Sequence, residues 1–341
     1  MSNWYLQTGK DSDIVISSRA RLARNLAEFN FKNSYVKDES KKVLDKMEEI
    51  TPSLGYGLKF CKMENIDYIT KVSLMEKHLI SPEFAMKEGK NQAILINDDE
   101  NICIMVNEED HLRLQVFSSG LEIENLVGLI TEIDDKLSSL VDYAYSKDFG
   151  YLTACPTNVG TGLRISIMVH LPGLALTGNI SKVLSAVNSF GMNIRGIYGE
   201  GSESKGDMYQ IFNNQSLGLT EKEIMKNVKA VTDKIIEQER LARKNLEKKP
   251  IELEDKVYRS YGLLINSRKM TSDECRALLS DVKLGTDLGI IKELDDAKVR
   301  KLELYTQVGN LQKLIGDELN AYDRDIKRCE VIKNLINDKN K

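Results

Sequence analysis

The spacing of apolar residues changes near Thr220, and this change constrains the fold more than any other feature of the chain. Before Thr220, short segments alternate apolar and polar residues, as β-strands with one buried face do. Two of these segments, residues 92–97 and 101–117, are joined by Asp98–Asn101, a turn that suits an antiparallel hairpin. The other predicted strands are 13–17, 151–154, 163–171, 193–198 and 208–213, and the predicted helices are 38–50, 121–147 and 181–190.

After Thr220 the spacing becomes helical. Thr220 and Glu223 match a capping box, from which an amphipathic helix extends to about Leu246. A linker is predicted at Lys248–Pro250, and residues 254–338 are almost entirely helical in pattern. We therefore predict an α+β fold: an antiparallel sheet flanked by helices over residues 1–250, followed by a small all-α C-terminal domain over 251–341.

The composition excludes several classes of protein. With 41% hydrophobic and 29% charged residues, the chain has the balance of a globular protein. A net charge of −4 provides no basic field for nucleic acid, and no apolar stretch approaches the roughly 18 residues of a membrane span. The start of the chain lacks a secretory-signal pattern, and its five scattered cysteines suit reduced thiols. We expect a cytoplasmic protein that binds neither nucleic acid nor membranes.

Arginine is rare before residue 240, where lysine supplies most of the positive charge. The planar guanidinium fork suits bidentate binding of phosphate, although ion pairing on a solvated sheet edge is an alternative. The sequence has no P-loop motif and no ordinary protein-kinase motifs, so any bound nucleotide would be held through arginines. The six arginines of this stretch are Arg19, Arg21, Arg24, Arg113, Arg164 and Arg195.

Alternation along the strands indicates which of these arginines share a face. In each of three strand segments, every second residue belongs to a set that includes arginine, and in two of them the alternating residues are apolar. If the segments belong to one sheet, the arginines converge on a basic floor suited to a polyphosphate. The three polar sets are Ser17, Arg19 and Arg21; Glu109, His111, Arg113 and Gln115; and Arg164, Ser166, Met168 and His170.

Two loops carry further candidate residues. Cys155–Gly162 contains two glycines that would allow close approach to a ligand, and Cys155 at its start is either a reactive thiolate or a buried inert thiol. The segment Arg195–Glu203 places Glu200 between two glycines, as in a loop that closes over a substrate. Gly-Glu-Gly turns are common, so this second motif is weak by itself.

These residues resemble those of the phosphagen (guanidino) kinases. Four blocks match that family in order, and a longer resemblance, to bacterial protein arginine kinases of the McsB type, covers nearly the whole chain. It includes residues 254–262 and 281–291. The four blocks are Ser18-Arg-Ala-Arg21, Asn107-Glu-Glu-Asp-His-Leu-Arg113, Cys155-Pro-Thr-Asn-Val-Gly-Thr-Gly-Leu-Arg164 and Arg195-Gly-Ile-Tyr-Gly-Glu200.

The resemblance implies phosphoryl transfer from ATP to an arginine guanidinium in a protein. It implies that Glu109 and Glu200 hold the guanidinium, one of them taking its proton, and that Cys155 lies against it. Mg²⁺ in this family rests on phosphates and water, so no protein metal ligand is expected. The implied nucleotide-site residues are Ser17, Ser18, Arg19, Ala20, Arg21, His78, Arg113, Arg164, Ile165, Ser166, Ile167, Met168, Arg195, Gly196, Ile197, Tyr198 and Gly199.

The two ends of the chain indicate whether the substrate is a free amino acid or a protein. Small-molecule relatives carry a helical N-terminal domain that helps to enclose a free amino acid; its absence here favours a protein substrate. In the C-terminal domain, Arg324-Asp325-Ile-Lys-Arg328 resembles the family's phosphoarginine pocket, with Cys329 in place of alanine. A kinase of a free guanidino metabolite and a non-catalytic phosphoarginine-binding adaptor are the alternatives. The resemblance also implies a homodimer, allosteric regulation, and stress-response partners: a heat-shock repressor, a zinc-containing activator and an unfoldase–protease.

Overall fold

The computed structural model describes residues 3–31, 38–86, 90–198 and 204–337. These residues form ten strands and twelve α-helices. The strands are β1 Val15–Arg24, β2 Lys59–Lys62, β3 Ala93–Ile96, β4 Ile102–Val106, β5 Leu112–Ser119, β6 Tyr145–Ser146, β7 Gly150–Tyr151, β8 Leu163–His170, β9 Met192–Tyr198 and β10 Ser204–Asn213. The helices are α1 Glu39–Leu54, α2 Tyr68–Glu76, α3 Pro82–Met86, α4 Ile123–Ser138, α5 Pro172–Leu176, α6 Ile180–Ser189, α7 Glu221–Leu246, α8 Pro250–Asn266, α9 Ser272–Asp287, α10 Asp296–Tyr305, α11 Val308–Ile315 and α12 Ala321–Asn337.

Eight of the strands form one antiparallel sheet, in the order β2-β3-β4-β5-β1-β8-β10-β9. Strand β1 lies in the middle, with Arg21 opposite Gln115 of β5 and opposite Arg164 of β8. Residues that are opposite one another in neighbouring strands point to the same side of a sheet. The predicted α+β class, with an antiparallel sheet followed by helices, is confirmed.

One side of the sheet, here called the core face, packs against helices. Ala20 and Leu22 of β1 and Ile167 of β8 are buried there, together with Ile130 of α4 and Val228 of α7. Each large apolar side chain buried in this way contributes roughly 1.5–3 kcal/mol to folding. The apolar members of the alternating segments therefore build the main core, and their polar neighbours are turned to the other side.

The other side of the sheet is only partly covered. Over β3, β4 and β5 it carries a smaller apolar cluster that includes Trp4, Leu74, Phe84, Met105 and Phe117. Toward β1, β8 and β9, and at Arg113 of β5, it carries arginines, and we call this part the arginine face.

The helices after residue 250 have a core of their own, in which Val257, Val282, Leu302 and Ile332 are buried. The boundary at residue 250 stays a prediction, which these separate cores support. The helices also dock on the sheet: the Ser280 hydroxyl of α9 lies 2.9 Å from His170 Nε2 and donates to Asp207 at 2.7 Å.

The predicted strand over 101–117 is interrupted. β4 ends at Val106 and β5 begins at Leu112. Between them Asn107 has a φ of 62°, and its backbone N–H donates to the carbonyl oxygen of His111 at 2.8 Å. A residue in the left-handed region ends the strand, and side-chain parity cannot be carried across it.

Two other predicted elements, one helix and one strand, were too long. The helix predicted over 121–147 ends at Ser138, where the Ser138 hydroxyl donates to the carbonyl oxygen of Asp135. Such local hydrogen bonds compete with continuation of a helix. The strand predicted over 151–154 is limited to Tyr151, in the short β7.

Arg24 makes a buried ion pair, which differs from the alternative considered for the arginines, ion pairing on a solvated sheet edge. Its guanidinium lies 2.7 Å from Asp134 of α4 and is only 1% exposed. It also donates to the carbonyl oxygens of Ala23 and Thr161, both at 2.9 Å. Arg24 therefore joins β1 to α4 on the core face.

Replacing Asp134 by alanine is expected to lower the free energy of unfolding by about 3–5 kcal/mol, because the Arg24 charge would stay buried without its partner. Denaturation in urea measures this change. Asp135→Ala, at the exposed neighbouring position of α4, is the matched control and is expected to change stability by less than about 0.5 kcal/mol. Equal losses in the two variants would contradict a specific role for the ion pair.

Candidate active site

Five arginines from four strands line a single cavity of about 890 Å³ on the arginine face. Arg19 and Arg21 belong to β1, Arg113 to β5, Arg164 to β8 and Arg195 to β9. The register explains the convergence, because Arg19 is opposite Ser166, Arg21 is opposite Arg164, and Arg195 is opposite Gln210. The arginines thus meet on one floor, as the alternation of the strands indicated.

The positive charges of these arginines are not balanced by the acidic side chains nearby. Burial, and then the charges of Arg113, Arg195 and Arg164, lower the pKa of Arg19 to about 9. Burial and the neighbouring arginines also hold the pKa of Arg21 well below its usual value. Like charges in a low-dielectric site disfavour the ionised form of each other, and a bound polyanion would reverse this effect.

Unused hydrogen-bond donors point to the same ligand. Among the described residues, the buried Nε atoms of Arg19 and Arg113 have no hydrogen-bond partner. A buried donor without a partner is costly, and phosphate oxygens match guanidinium donors in geometry and charge. The residues present therefore fit a polyphosphate.

Two adjacent glutamates differ in their environment. Glu108 accepts hydrogen bonds from Ser81 Oγ at 2.6 Å and from Arg113 Nη1 at 3.0 Å. Burial acts to raise the pKa of Glu108, but Arg113 and these hydrogen bonds outweigh it and lower the pKa. Glu109 lines the cavity and is exposed, and its carboxylate makes no hydrogen bond to a described residue. Glu109 is thus available to a ligand, whereas Glu108 orients Arg113.

Cys155 is connected to the arginine floor through Thr157. Its sulfur lies 3.1 Å from Thr157 Oγ1, and Arg164 Nη2 donates to the same oxygen at 3.3 Å. Burial and Arg113 lower the pKa of Arg164, while Cys155 and Glu109 act to raise it. Cys155 and Cys61 are partly exposed, whereas Cys103, Cys275 and Cys329 are buried. A reactive Cys155 thiol stays a prediction.

The glycines of the Cys155–Gly162 loop serve packing. Gly160 has a φ of +108°, and a Cβ there would lie 2.7 Å from the carbonyl oxygen of Ser216. A Cβ at Gly162 would lie 2.5 Å from Arg24 Nη1. Close packing against the backbone at Ser216 and against the Arg24 side chain accounts for both glycines, and close approach of this loop to a ligand stays a prediction.

Four residues that the resemblance assigns to the nucleotide lie on the core face. Their side chains are buried among the helices, and the Ser18 hydroxyl donates to the carbonyl oxygen of Gly120 at 2.6 Å. Successive strand residues point to opposite sides, so these side chains cannot share a cavity with Arg19 and Arg164. They are Ser18, Ala20, Ile165 and Ile167.

The remaining assigned residues lie on the arginine face, at its margin, or outside the described chain. Ile197 and His78 line the cavity, and Ser166 accepts a long hydrogen bond from Arg19 at 3.5 Å. Gly196 is the exception, because it is opposite Tyr209, which is buried in the main core, and therefore occupies a core-face position. Ser17 and Met168 line an adjoining cavity. Gly199, Glu200 and the side chain of Tyr198 lie outside the described residues.

His111 does not line an accessible face, contrary to the parity argument. It is buried in the loop between β4 and β5, where its Nδ1 accepts from the Leu26 backbone N–H at 3.0 Å and its Nε2 lies 3.0 Å from the Asn30 carbonyl oxygen. Gln115 does line the arginine cavity, as the parity argument predicted, although it is buried and donates to the carbonyl oxygen of Leu79. Both residues support the loops around the site. Sequence reasoning assigned no role to Glu108, which follows Asn107 in the second of the four blocks.

The lowered pKa of His78 predicts how pH affects folding and how a bound polyanion affects this histidine. Burial, followed by the charges of Arg19 and Arg195, lowers its pKa to about 4. Between pH values of about 4 and 6.5 the unfolded chain binds the proton and the folded chain does not, so His78 makes folding less favourable as the pH falls through this range. Inorganic triphosphate is expected to raise the His78 pKa, because it would offset the nearby arginine charges.

NMR titration of the three histidine rings, with and without triphosphate, measures this shift. His111 and His170 are internal controls, since the groups that shift their pKa values are not the cavity arginines. Equal shifts at all three histidines would contradict the prediction.

Among the described residues, no group of three or more His, Cys, Asp or Glu side chains could hold a metal ion. No helix in the described ranges is long and apolar enough to cross a membrane. The arginine floor, with Glu109 in its lining, suits a polyanionic ligand.

Comparison with known proteins identifies the class that this fold and site define. Residues 37–242 match the family described as ATP:guanido phosphotransferase, C-terminal catalytic domain. A taurocyamine kinase from Schistosoma mansoni with bound transition-state analogue components superposes with a TM-score of 0.59 and 25% identity, over 70% of this chain and 35% of that duplicated chain. Lombricine kinase superposes with a TM-score of 0.59 and 23% identity, over 69% of this chain and 68% of its own, and supports the fold. The chain is a guanidino phosphotransferase.

The match of the C-terminal region and the similarity to individual relatives identify the family within this class. Residues 250–341 match the family described as Protein-arginine kinase McsB C-terminal domain. The protein-arginine kinase of Halothermothrix orenii is 49% identical over 339 residues, 99% of this chain and 97% of that protein. That of Bacillus licheniformis is 44% identical over 342 residues, 98% of this chain and 93% of that protein. The chain belongs to the protein-arginine kinase family, which confirms the resemblance.

Proposed function

We propose that this protein transfers the γ-phosphoryl group of ATP to the guanidinium of arginine side chains in proteins. The observation that carries the proposal is the arginine cavity, in which five arginines of the sheet, together with Arg276 of α9, share the lining with the exposed Glu109. Family membership supports the same conclusion.

The arginines would bind the ATP phosphates and stabilise the transferring phosphoryl group. In phosphoryl transfer the negative charge spreads over several oxygens, so fixed positive charges stabilise the transition state. Arg19, Arg21, Arg113, Arg164 and Arg195 would hold the ATP phosphates, and Glu108 and Gln210 position two of them. Mg²⁺ bound to those phosphates would supply additional positive charge.

The carboxylates would bind the substrate guanidinium. A protonated guanidinium is a poor nucleophile with a pKa above about 12, so it must be oriented and must lose a proton as the N–P bond forms. Glu109, with Glu200 by resemblance, would orient it, and one of them would accept the proton. As the N–P bond forms, the bond between the γ-phosphorus and the bridging oxygen breaks and ADP leaves. Cys155 would lie against the cationic substrate.

A protein substrate is favoured over free arginine by the helical C-terminal region, which matches that of protein-arginine kinases. A kinase of a free guanidino metabolite remains the alternative substrate class. A non-catalytic phosphoarginine-binding adaptor is disfavoured by the assembled arginine floor and Glu109.

A regulatory phosphoarginine pocket at Arg324, Asp325 and Arg328 is also proposed. All three residues lie on α12, at half-buried or buried positions. Arg328 donates to the carbonyl oxygens of Thr306 at 2.8 Å and Met270 at 2.7 Å. These contacts join α12 to the end of α10 and the start of α9, so a ligand that displaced them would act on both helices.

The proposals for oligomeric state, cellular role and partners are based on the resemblance to the family. We propose a homodimer, supported by exposed apolar side chains on α8 such as Ile251 and Leu263. We also propose a cytoplasmic stress-response role, in which repressor or misfolded clients are marked for regulation or degradation. The proposed partners are a heat-shock repressor, a zinc-containing activator and an unfoldase–protease.

The test uses the purified protein, Mg-ATP, a denatured arginine-rich protein and free arginine in parallel. Phosphate that is lost in acid, kept in mild base and mapped to arginine by mass spectrometry is the expected product on the protein. Label on free arginine alone would move the assignment to a metabolite kinase. No label, even with cell extract as a source of activator, would favour the adaptor.

A further inference from the structure

A buried asparagine is hydrogen-bonded to both segments that carry Glu109 and Cys155. Asn25 directly follows β1 and is 1% exposed. It belongs to none of the motifs that indicated the active site, and it does not line the arginine cavity. Both polar atoms of its side-chain amide are nevertheless hydrogen-bonded, and their partners belong to two other parts of the chain.

The first partner of Asn25 is the loop between β4 and β5. Asn25 Nδ2 donates to Asp110 Oδ1 at 2.7 Å, and Asn25 Oδ1 accepts from the His111 backbone N–H at 2.8 Å. The adjacent Leu26 backbone N–H donates to the His111 ring at 3.0 Å. Three hydrogen bonds therefore hold this loop against the end of β1, and the loop carries Glu109 one residue before Asp110.

The second partner is the segment that leads to Cys155. Asn25 Nδ2 also donates to the carbonyl oxygen of Leu152 at 3.2 Å. Asp110 Oδ1, the same oxygen that Asn25 contacts, accepts from the Ala154 backbone N–H at 2.6 Å. One carboxylate oxygen therefore joins the position before Cys155 to the loop between β4 and β5.

Asp110 depends on these donors because it is only 2% exposed. Burial raises the pKa of Asp110, the hydrogen bonds from Ala154 and Asn25 oppose this effect, and the charges of Glu109 and Glu108 add to it. A buried carboxylate is costly unless hydrogen bonds compensate for the lost water. Loss of the Asn25 donor would therefore weaken the link that Asp110 makes between the two segments.

The type of side chain matches the demands of this position. It must donate two hydrogen bonds and accept one. An amide can do both, whereas a carboxylate cannot donate and a hydroxyl has a single proton to donate. Asn25 thus meets with one group a requirement that arises only where three segments of the chain come together.

We propose that Asn25 is a positioning residue for arginine phosphorylation, because it fixes the spacing between Glu109 and Cys155. It acts through Asp110 and has no contact with the substrate of its own. The inference rests on the proposed function, in which Glu109 and Cys155 lie against the substrate guanidinium. A misplacement of about 1 Å in a reacting group can lower a rate by about 10²-fold, so a distant hydrogen-bonding residue can matter for the chemical step.

Asn25→Leu removes all three side-chain hydrogen bonds at similar side-chain size. It is expected to lower kcat for protein arginine phosphorylation by about 10²-fold and to leave the KM for ATP within about twofold. Single-turnover kinetics of the full-length protein separates transfer from binding. Asn25→Asp keeps the acceptor for the His111 N–H and loses both donations, so it gives the same test if the leucine variant does not fold.

Ile235→Ala is the control for a general loss of stability. Ile235 is buried in the same core, on α7, and its truncation is expected to lower the melting temperature. Arg240, five residues further along α7, pairs with Asp13 before the start of β1. This part of α7 therefore lies at the opposite end of β1 from Asn25, and kcat is expected to stay within about twofold at temperatures where the variant is folded.

A double variant tests whether Asn25 acts through Glu109. In the Glu109→Gln background, Asn25→Leu is expected to cost less than about threefold, because a group that has been removed cannot be misplaced. Two independent contributions would instead multiply.

Alkylation of Cys155 by iodoacetamide gives a readout that does not require phosphoryl transfer. Asn25→Leu is expected to change the alkylation rate at Cys155 by about fivefold or more, because access and local environment control the reactivity of a thiol. Cys61, the other partly exposed cysteine, is the internal control and is expected to react at an unchanged rate. Mass spectrometry of the labelled peptides measures both rates.

The outcomes distinguish this inference from the proposed function. If the protein without substitutions phosphorylates no arginine, the proposed function fails, and the Cys155 alkylation rate alone decides whether Asn25 positions this segment. A normal kcat in Asn25→Leu, an equal loss in Ile235→Ala, losses that multiply with Glu109→Gln, or an unchanged Cys155 rate would each overturn the inference.

Discussion

Arg21→Met is expected to lower kcat/KM for arginine phosphorylation by about a thousandfold and to raise the melting temperature of the ligand-free protein. The loss of activity follows because an arginine that stabilises a transferring phosphoryl group is worth roughly 10³-fold or more. The gain in stability follows because Arg21 is crowded by burial and by Arg113, Arg164 and Arg19. Removing one of several repelling charges relieves the others, by roughly 1 kcal/mol, or about 2–4 °C.

Arg24→Met is the matched control, since Arg24 lies in the same strand three residues away. Arg24 is paired with Asp134, so its replacement is expected to lower the melting temperature. Steady-state kinetics and thermal unfolding of both variants, with and without ATP, give the comparison. Destabilisation by both substitutions would mean that Arg21 has a structural role, and retained activity in Arg21→Met would remove it from the mechanism.

Glu109→Gln is expected to reduce phosphoryl transfer by about 10²–10⁴-fold while ATP still binds. The carboxylate would orient the guanidinium and accept its proton, and an amide of the same shape can do neither. Because Glu109 is exposed, the melting temperature is expected to stay unchanged. A normal rate in this variant would exclude the assigned role.

Two further variants make the Glu109 result specific. Glu108→Gln is expected to affect mainly the KM for ATP, since Glu108 contacts Arg113. Glu124→Gln, at an exposed position of α4 away from the cavity, is expected to change neither parameter. Single-turnover kinetics separates binding from transfer. Equal effects of Glu108→Gln and Glu109→Gln on transfer would contradict the division of roles between the two glutamates.

Much of the fold could be predicted because its signals are local. Alternation along β1 and β8 identifies which residues share a face, and the Thr220–Glu223 capping box, present in the structure, marks the start of α7. The convergence of Arg19, Arg21 and Arg164 follows from that alternation once the strands are paired. The family could be recognised because its blocks occur in order along the chain.

Other features of the site could not be predicted because they depend on contacts that are distant in sequence. Residues 107–111 form a bend before β5, which begins at Leu112, so strand alternation cannot be extended back from Arg113 to place His111. Ser18 was grouped with its neighbours by motif, although the strand turns it to the core face. Glu108 acquires its role only through Arg113 and Ser81, with which it is brought into contact by folding.

The sequence by itself determined the alternation of the strands, the helical period after Thr220, and the family to which the chain belongs. Each of these depends on residues within a few positions of one another or on motifs read in order. Only the tertiary structure decided that Arg24 is an ion-pair residue while Arg21 faces the cavity, and that α10 lies beside Met168 and Trp4. The physical reason is that burial and electrostatic environment are set by neighbours in space, which strand register and helix docking select.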